Sequence, residues 1–178
     1  MLTLMMTPGP LMADPVDAFP LYRRFIPYDG QGIPEVRPSG PDPNGTGDRG
    51  PDPWEDRDAS ACELVSFSAA HLGSRRLIEG SQFAERARKE VLGGVYDREQ
   101  EELRRPRRLT ITAAAEYNMS IAYFQMGGNS AYLGEGQLRH ARSQLDAAVR
   151  HDEEFAADEL YRSVDRALTA LEQFAGSR

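Results

Sequence analysis

Proline is confined almost entirely to the first third of this chain. Eleven of the twelve prolines lie in residues 1–58, and the twelfth is Pro106. Proline lacks a backbone N–H and disfavours helix in the residue before it, so this region favours extended chain. The remaining two thirds are nearly free of proline and long enough to bury one core. The sequence therefore predicts an extended or disordered N-terminal arm at residues 1–58 and a helical domain at residues 59–178.

Two patches of the arm differ from its Gly-, Pro- and Asp-rich background. The first is the aromatic segment at residues 19–28, and the second is Trp54, the only tryptophan. Such patches either dock on the helices of their own chain or order on contact with a partner. The candidate partner-binding residues of the arm are Phe19, Leu21, Tyr22, Phe25, Ile26, Tyr28 and Trp54.

Apolar residues in the second region recur at spacings of three and four, the helical period. The stretch from Thr112 to Met126 is apolar nearly all round, which is typical of a central, buried helix. A stripe from Leu138 to Val149 and another from Phe155 to Phe174 predict two further helices. We find no useful strand alternation, so the predicted class is all-α.

Capping and helix-breaking residues predict where these helices begin and end. The capping box Ser60-Ala61-Cys62-Glu63 predicts a start at Ser60. Glycines at 73 and 80 predict a break, and Gly93-Gly94 predicts a second end. Pro106 is expected to end or kink the charged segment that starts at Asp97. Residues 129–136 read as a loose connection between helices.

Residues 115–128, AEYNMSIAYFQMGG, resemble the first helix of a tetratricopeptide repeat. The large–small pair Met119-Ser120, the aromatic Tyr123 and the closing Gly127 carry the resemblance. Ala141, Leu145, Ala148 and Asp152 echo the second helix. Departures are the long connection at 129–137, Glu153 in place of the usual proline, and the match of a single repeat. A short tetratricopeptide-like array and a generic helical bundle are both compatible with this pattern.

The resemblance implies a scaffold whose inner helix faces hold a peptide of a partner. The candidate residues on that face would be Tyr117, Asn118 and Gln125. Asn118 stands at the family's peptide-clamping asparagine. A solvent-facing polar residue is the alternative interpretation of that position.

The sequence offers no convincing catalytic or metal-binding constellation. His140 and His151 are eleven residues apart on one helix, about 16 Å at 1.5 Å per residue, so one metal ion cannot use both. Cys62, the only cysteine, lies in the first turns of the predicted helix with no histidine at a suitable spacing. We expect no enzyme activity, no cofactor and no metal.

The one basic cluster surrounds the isolated proline and consists of Arg104, Arg105, Arg107 and Arg108. It is expected to pair with nearby glutamates; an acidic protein segment or nucleic acid are the other possible partners. Nucleic acid is disfavoured because the chain has a net charge of −7. No apolar run approaches the 18 residues that a membrane span needs.

These features predict a non-enzymatic interaction or scaffold module with a partner-binding arm. The alternative is a structural subunit of a larger assembly, such as a phage particle or multisubunit complex, in which long arms lace subunits together. The partner would be another protein or the chain's own assembly. We expect a cytoplasmic protein, or a virion protein if it derives from a phage. Arginine supplies all but one of the 21 basic residues, which indicates a high-GC bacterial or phage genome.

Overall fold

The computed structural model describes residues 13–23, 53–92 and 98–176. Within these ranges the chain forms six α-helices and one short 3-10 helix, and no strand. The prediction of an all-α fold is confirmed. The α-helices are α1 (Phe19–Arg23), α2 (Pro53–Gly73), α3 (Leu77–Leu92), α4 (Arg98–Met126), α5 (Ser130–His151) and α6 (Glu159–Gly176), and the 3-10 helix is η1 (Glu153–Ala157).

Helix α4 is the centre of the fold. It packs against α2, α3, α5 and α6, and every residue from Thr110 to Ala122 is buried. This confirms that the apolar stretch after Thr112 forms a central helix. Helices α2 and α3 form one hairpin and α4 and α5 form a second, each through a short turn. The core therefore lies along α4, where both hairpins meet.

Small residues allow the two helices of each hairpin to approach closely. A Cβ atom on Gly80 of α3 would lie 2.7 Å from the Leu72 side chain of α2. Next to it, the buried Ser68 hydroxyl donates to the Gly80 carbonyl at 2.7 Å. In the second hairpin a Cβ on Gly134 of α5 would lie 3.2 Å from the Phe124 ring. Replacing Gly80 would therefore force a shift of α2 or of the Leu72 side chain, whereas at Gly134 the neighbours would move by only a few tenths of an ångström.

Three predicted boundaries are wrong. Helix α2 begins at Pro53, so Ser60 lies inside a helix and forms no capping box; proline suits a first helical position because its missing N–H has no intrahelical partner there. The connection between α4 and α5 is residues 127–129, not 129–136. The last stripe, predicted as one helix from Phe155 to Phe174, is η1 followed by α6. The new helix begins after Asp158, whose carboxylate caps it by accepting from the Leu160 backbone N–H at 2.9 Å. The division into an arm and a domain otherwise stays a prediction.

Pro106 does not end a helix, because α4 runs through it. Proline has no N–H, so the carbonyl four residues earlier, that of Glu102, loses its helical donor. His151 at the end of α5 lies in position to replace it, with Nε2 2.9 Å from the Glu102 carbonyl oxygen. The same Nε2 lies 3.3 Å from a carboxylate oxygen of Glu102. A side chain of the neighbouring helix thus occupies the hydrogen-bonding position that the proline vacates.

We expect His151→Ala to destabilise the wild-type chain more than the Pro106→Ala chain. Alanine at 106 restores a backbone donor for the Glu102 carbonyl, so the imidazole is no longer needed there. The expected coupling is about 0.5–1 kcal/mol, the typical size of a net hydrogen bond. A double-mutant cycle of urea unfolding measures it, and equal costs of His151→Ala in both backgrounds would refute this role for the imidazole.

Arg142 joins α5 to α6. Its guanidinium donates to Asp165 at 2.6 Å, to the Glu172 carboxylate at 3.0 and 2.8 Å, and to the Thr169 hydroxyl at 3.1 Å. These bonds, with the Glu172 contacts foremost, raise the pKa of Arg142 above its ordinary range, so it stays charged. One side chain of α5 thereby bonds to three side chains of α6.

Candidate functional site

The N-terminal segment at residues 13–21 lies in a groove formed by α2, α4 and α6, here called the arm groove. Residues 13–18 are extended, and the short helix α1 follows. Val16 is 5% exposed and Ala18 is fully buried, while Phe19 and Leu21 pack half-buried against the core. An extended peptide thus occupies a surface of the helical domain.

Asn118 of α4 holds this peptide by its backbone. Its Nδ2 donates to the Val16 carbonyl at 3.0 Å and to the Val65 carbonyl of α2 at 3.3 Å. Its Oδ1 accepts from the Val16 N–H at 2.8 Å. The side chain is fully buried and therefore not solvent-facing. One amide thereby satisfies both backbone groups of a single peptide residue, whatever side chain that residue carries.

Two hydroxyl groups hold the peptide on either side of this contact. The Tyr117 hydroxyl donates to the Asp14 carbonyl at 3.1 Å. The Ser66 hydroxyl of α2 donates to the Asp17 carboxylate and accepts from the Phe19 N–H at 2.9 Å. The Ser66 contacts lie where the extended segment turns into α1. The polar contacts therefore follow residues 14 to 19 along the groove.

Alkaline pH is expected to lower the free energy of unfolding by ionising the Tyr117 hydroxyl, which donates to the Asp14 carbonyl. Burial, together with the nearby Asp14 carboxylate, raises the pKa of Tyr117 from 10.0 to about 12. A raised folded-state pKa gives stability that is present below pH 10 and lost as the pH rises through 12. At about 1.4 kcal/mol per pKa unit, the loss is on the order of 2–3 kcal/mol across that window.

The measurement is the free energy of urea unfolding of the wild type and Tyr117→Phe at pH 8, 10 and 11. Phenylalanine keeps the ring but has no ionisable hydroxyl, so its stability falls less steeply with pH. Parallel curves for the two proteins would contradict the assignment to Tyr117.

The other predicted site residues are distributed around this groove and beyond the described residues. Gln125 lies seven residues after Asn118 on α4, two turns along the same side, and is half-buried. Phe19 and Leu21 dock on the chain's own helices, one of the two alternatives left open. Phe25, Ile26 and Tyr28 lie outside the described residues, as do the side chains of Tyr22 and Trp54. A role of any of these residues in binding a partner stays a prediction.

The predicted basic cluster is part of α4, where it makes structural contacts. Arg105 lies 4.0 Å from the Glu102 carboxylate, and both side chains are exposed. Arg108 donates to the Val91 carbonyl at 3.1 Å, in the last turn of α3. That carbonyl is among those a helix end leaves without a backbone donor. Arg104 and Arg107 also have interaction partners. The arginines therefore contribute to helix ends and ion pairs on the described surface.

Two buried ionisable groups of the described residues, Cys62 and Glu116, have raised pKa values. Cys62 is the tenth residue of α2 and fully buried, and burial raises the pKa of its thiol well above the usual value. Glu116 is 3% exposed with Arg88 Nη1 at 3.8 Å; burial raises the pKa of this carboxyl, opposed by His140 and Arg88. Over residues 13–23, 53–92 and 98–176, no three histidine, cysteine or acidic side chains converge as metal ligands.

No protein-family model, curated protein or solved structure matches this chain. The relationship to tetratricopeptide repeats therefore stays a prediction. Among the described helices, none combines the length and apolarity that crossing a bilayer requires.

Sequence reasoning missed the peptide that fills the groove. Residues 13–18 contain only three apolar side chains apart from proline, too few to indicate a buried strand-like segment. Ser66 was also missed, because a serine on a helix carries no signal of its own. The available signal was Asn118, a polar residue within the most apolar helix of the chain. Burial there obliges it to find hydrogen-bond partners.

Proposed function

We propose that this chain is a non-enzymatic protein-interaction module whose arm groove binds extended peptide segments. The observation that carries the proposal is a pair of hydrogen bonds: the Val16 N–H donates to the Asn118 side-chain oxygen, and the Asn118 amide donates to the Val16 carbonyl. Such contacts select an extended backbone, and flanking pockets then select side chains. In this view residues 13–21 occupy the groove in the absence of a partner.

Burial of the groove residues supports this function over a purely structural one. Tyr117 and Asn118 point polar groups from the central helix towards a segment over 100 residues away in sequence. These polar groups bond to the backbone of the segment and not to its side chains, which is how peptide-binding domains hold extended ligands. The tetratricopeptide resemblance, with Asn118 at its clamping position, points to the same function.

The test is to separate the arm from the domain without mutating the groove. A site-specific protease sequence is inserted at residues 44–47 of the full chain, which is then cleaved and diluted. If the groove binds peptides in trans, the N-terminal fragment stays bound at high concentration and dissociates on dilution, with a Kd that a titration can measure. The uncleaved chain of the same sequence is the matched control.

Two results would contradict the proposal. The fragment could fail to rebind to a domain that remains folded by circular dichroism, or the domain could unfold irreversibly once the connection is cut. Either outcome would make residues 13–21 an integral part of the core and not a bound peptide.

The assembly alternative keeps one supporting observation. Twenty-nine residues, 24–52, connect α1 to α2. At up to about 3.3 Å per residue that length reaches well beyond one domain. If arms exchange between copies, the uncleaved chain elutes as a dimer or larger species whose share grows with concentration in light-scattering chromatography, whereas a constant monomer argues against it.

A further inference from the structure

The segment in the arm groove presents a specific pattern of side chains to the domain. Val16 and Ala18 are buried, Asp14 and Asp17 are exposed, and Phe19 and Leu21 are half-buried against the core. Each class of contact limits what another peptide could place at the same position. The contacts therefore restrict the side chains of a bound peptide as well as its backbone conformation.

The Ala18 position has the strictest steric requirement. Its side chain is fully buried and belongs to the hydrophobic core together with Val16 and Val65. Interiors are packed without voids that could take further methylene groups, so a larger side chain there displaces its neighbours. Alanine or glycine is the residue that fits.

The Asp17 position requires a hydrogen-bond acceptor. The Ser66 hydroxyl has one proton, which it donates to the Asp17 carboxylate while accepting from the Phe19 N–H at 2.9 Å. A bond to an ionised acceptor is roughly twice as strong as one between neutral groups. Ser66 therefore favours a carboxylate one residue before the alanine and an N–H one residue after it.

The Val16 position requires a backbone N–H as well as a carbonyl, because Asn118 uses both. Proline is excluded there, since it has no N–H to donate. The side chain itself is 5% exposed, which suits a compact aliphatic group. The Phe19 position, half-buried against the core, accommodates a large apolar residue.

We infer that the partner of this groove is a protein with an extended acidic segment of the pattern valine–aspartate–alanine–aromatic, for which Val16 to Phe19 are the chain's own substitute. This inference rests on the proposed peptide-binding function and names its ligand. The small residue and the carboxylate distinguish this ligand from a generic hydrophobic helix. A partner segment of this pattern displaces residues 13–21 because it satisfies the same donors and pockets.

The experiment uses a fluorescent peptide with the sequence of residues 13–21 and the full chain carrying Ala18→Arg. The buried arginine is expected to expel the chain's own segment and open the groove. Asp14→Arg is the matched control, because it introduces the same side chain at an exposed position and leaves the segment bound. We expect the peptide to bind the Ala18→Arg chain at least tenfold more tightly than the Asp14→Arg chain.

Single substitutions in the peptide then test the pattern. Leucine at the Ala18 position and proline at the Val16 position are each expected to weaken binding by more than tenfold. Alanine at the Asp17 position weakens it about three- to tenfold, and this loss disappears in a chain that also carries Ser66→Ala. Alanine at the Asp14 position changes little, because that side chain is exposed.

The outcomes separate the two proposals. If the wild-type peptide binds but the substituted peptides bind equally well, the inferred pattern is wrong and peptide binding stands. If no peptide binds an open groove, peptide binding itself fails. Should the Ala18→Arg chain not fold, the same peptides are tested for displacing the fragment from the cleaved wild-type chain.

Discussion

Replacing Asn118 with leucine is expected to release the N-terminal segment from the arm groove. Leucine has nearly the same shape but cannot bond to Val16, so two backbone groups would remain buried without partners. Each such group costs about 1–3 kcal/mol, and we expect a loss of 2–4 kcal/mol in the free energy of unfolding. The segment undocks when this cost exceeds its docking free energy, which limits the measured effect.

The measurement combines urea unfolding with hydrogen exchange of the Val16 amide, which donates to the Asn118 side chain. Protection of that amide should disappear in Asn118→Leu while amides of α4 stay protected. In the Ala18→Arg background, where the segment is already expelled, Asn118→Leu should cost less than 1 kcal/mol. An equal cost in both backgrounds would show that Asn118 supports the helical core and not the bound segment.

Replacing Gly80 with alanine is expected to destabilise the packing of α2 against α3. The new methyl carbon would lie 2.7 Å from the Leu72 side chain, which is 3% exposed, so that side chain or the helix backbone must shift. Overpacking of this kind costs about 1–3 kcal/mol. Alanine is favoured over glycine within a helix by roughly 1 kcal/mol, so the net loss is smaller than the steric cost alone.

Gly136→Ala is the matched control, since it lies inside α5 with nothing within 4 Å of the added Cβ. It should raise the free energy of unfolding by about 0.5–1 kcal/mol. Urea unfolding of the two variants should therefore give opposite signs. A stabilised Gly80→Ala protein would mean that α2 and α3 can separate at no cost and that their close approach is not needed.

Helices with strong periodicity could be predicted, whereas those defined by a single local contact could not. The apolar run after Thr112 places α4 at the centre because only a buried helix tolerates apolar groups on all sides. The effect of Pro106 could not be predicted, because the group that replaces its missing N–H belongs to another helix. His151 of α5 lies within hydrogen-bond distance of the Glu102 carbonyl, and α4 continues through the proline. Likewise residues 60–63 match the sequence of a capping box, but the helix already begins at Pro53.

The candidate site divides in the same way. Asn118 could be singled out, first by its place in a repeat-like pattern and then by its polarity within an apolar helix. The residue it holds could not, since Val16 is 102 positions away and lies in a segment of unremarkable composition. A segment that is bound through its backbone carries no sequence signature of that contact. Every residue except proline offers the same backbone N–H and carbonyl to a side-chain amide.

Residues 24–52 connect the segment at residues 13–21 to the helices that form the arm groove, so the segment competes for the groove as a tethered ligand. Ser66, which binds the segment, lies thirteen residues after Pro53 in α2, about 20 Å at 1.5 Å per residue. The twenty-nine residues at 24–52 are more than long enough to cover that distance. A ligand tethered in this way competes at an effective concentration on the order of millimolar. Under the proposed function, a free segment of equal intrinsic affinity would have to reach that level to displace residues 13–21. Displacement would therefore require a partner that binds better, carries several copies of the motif or is concentrated in one place.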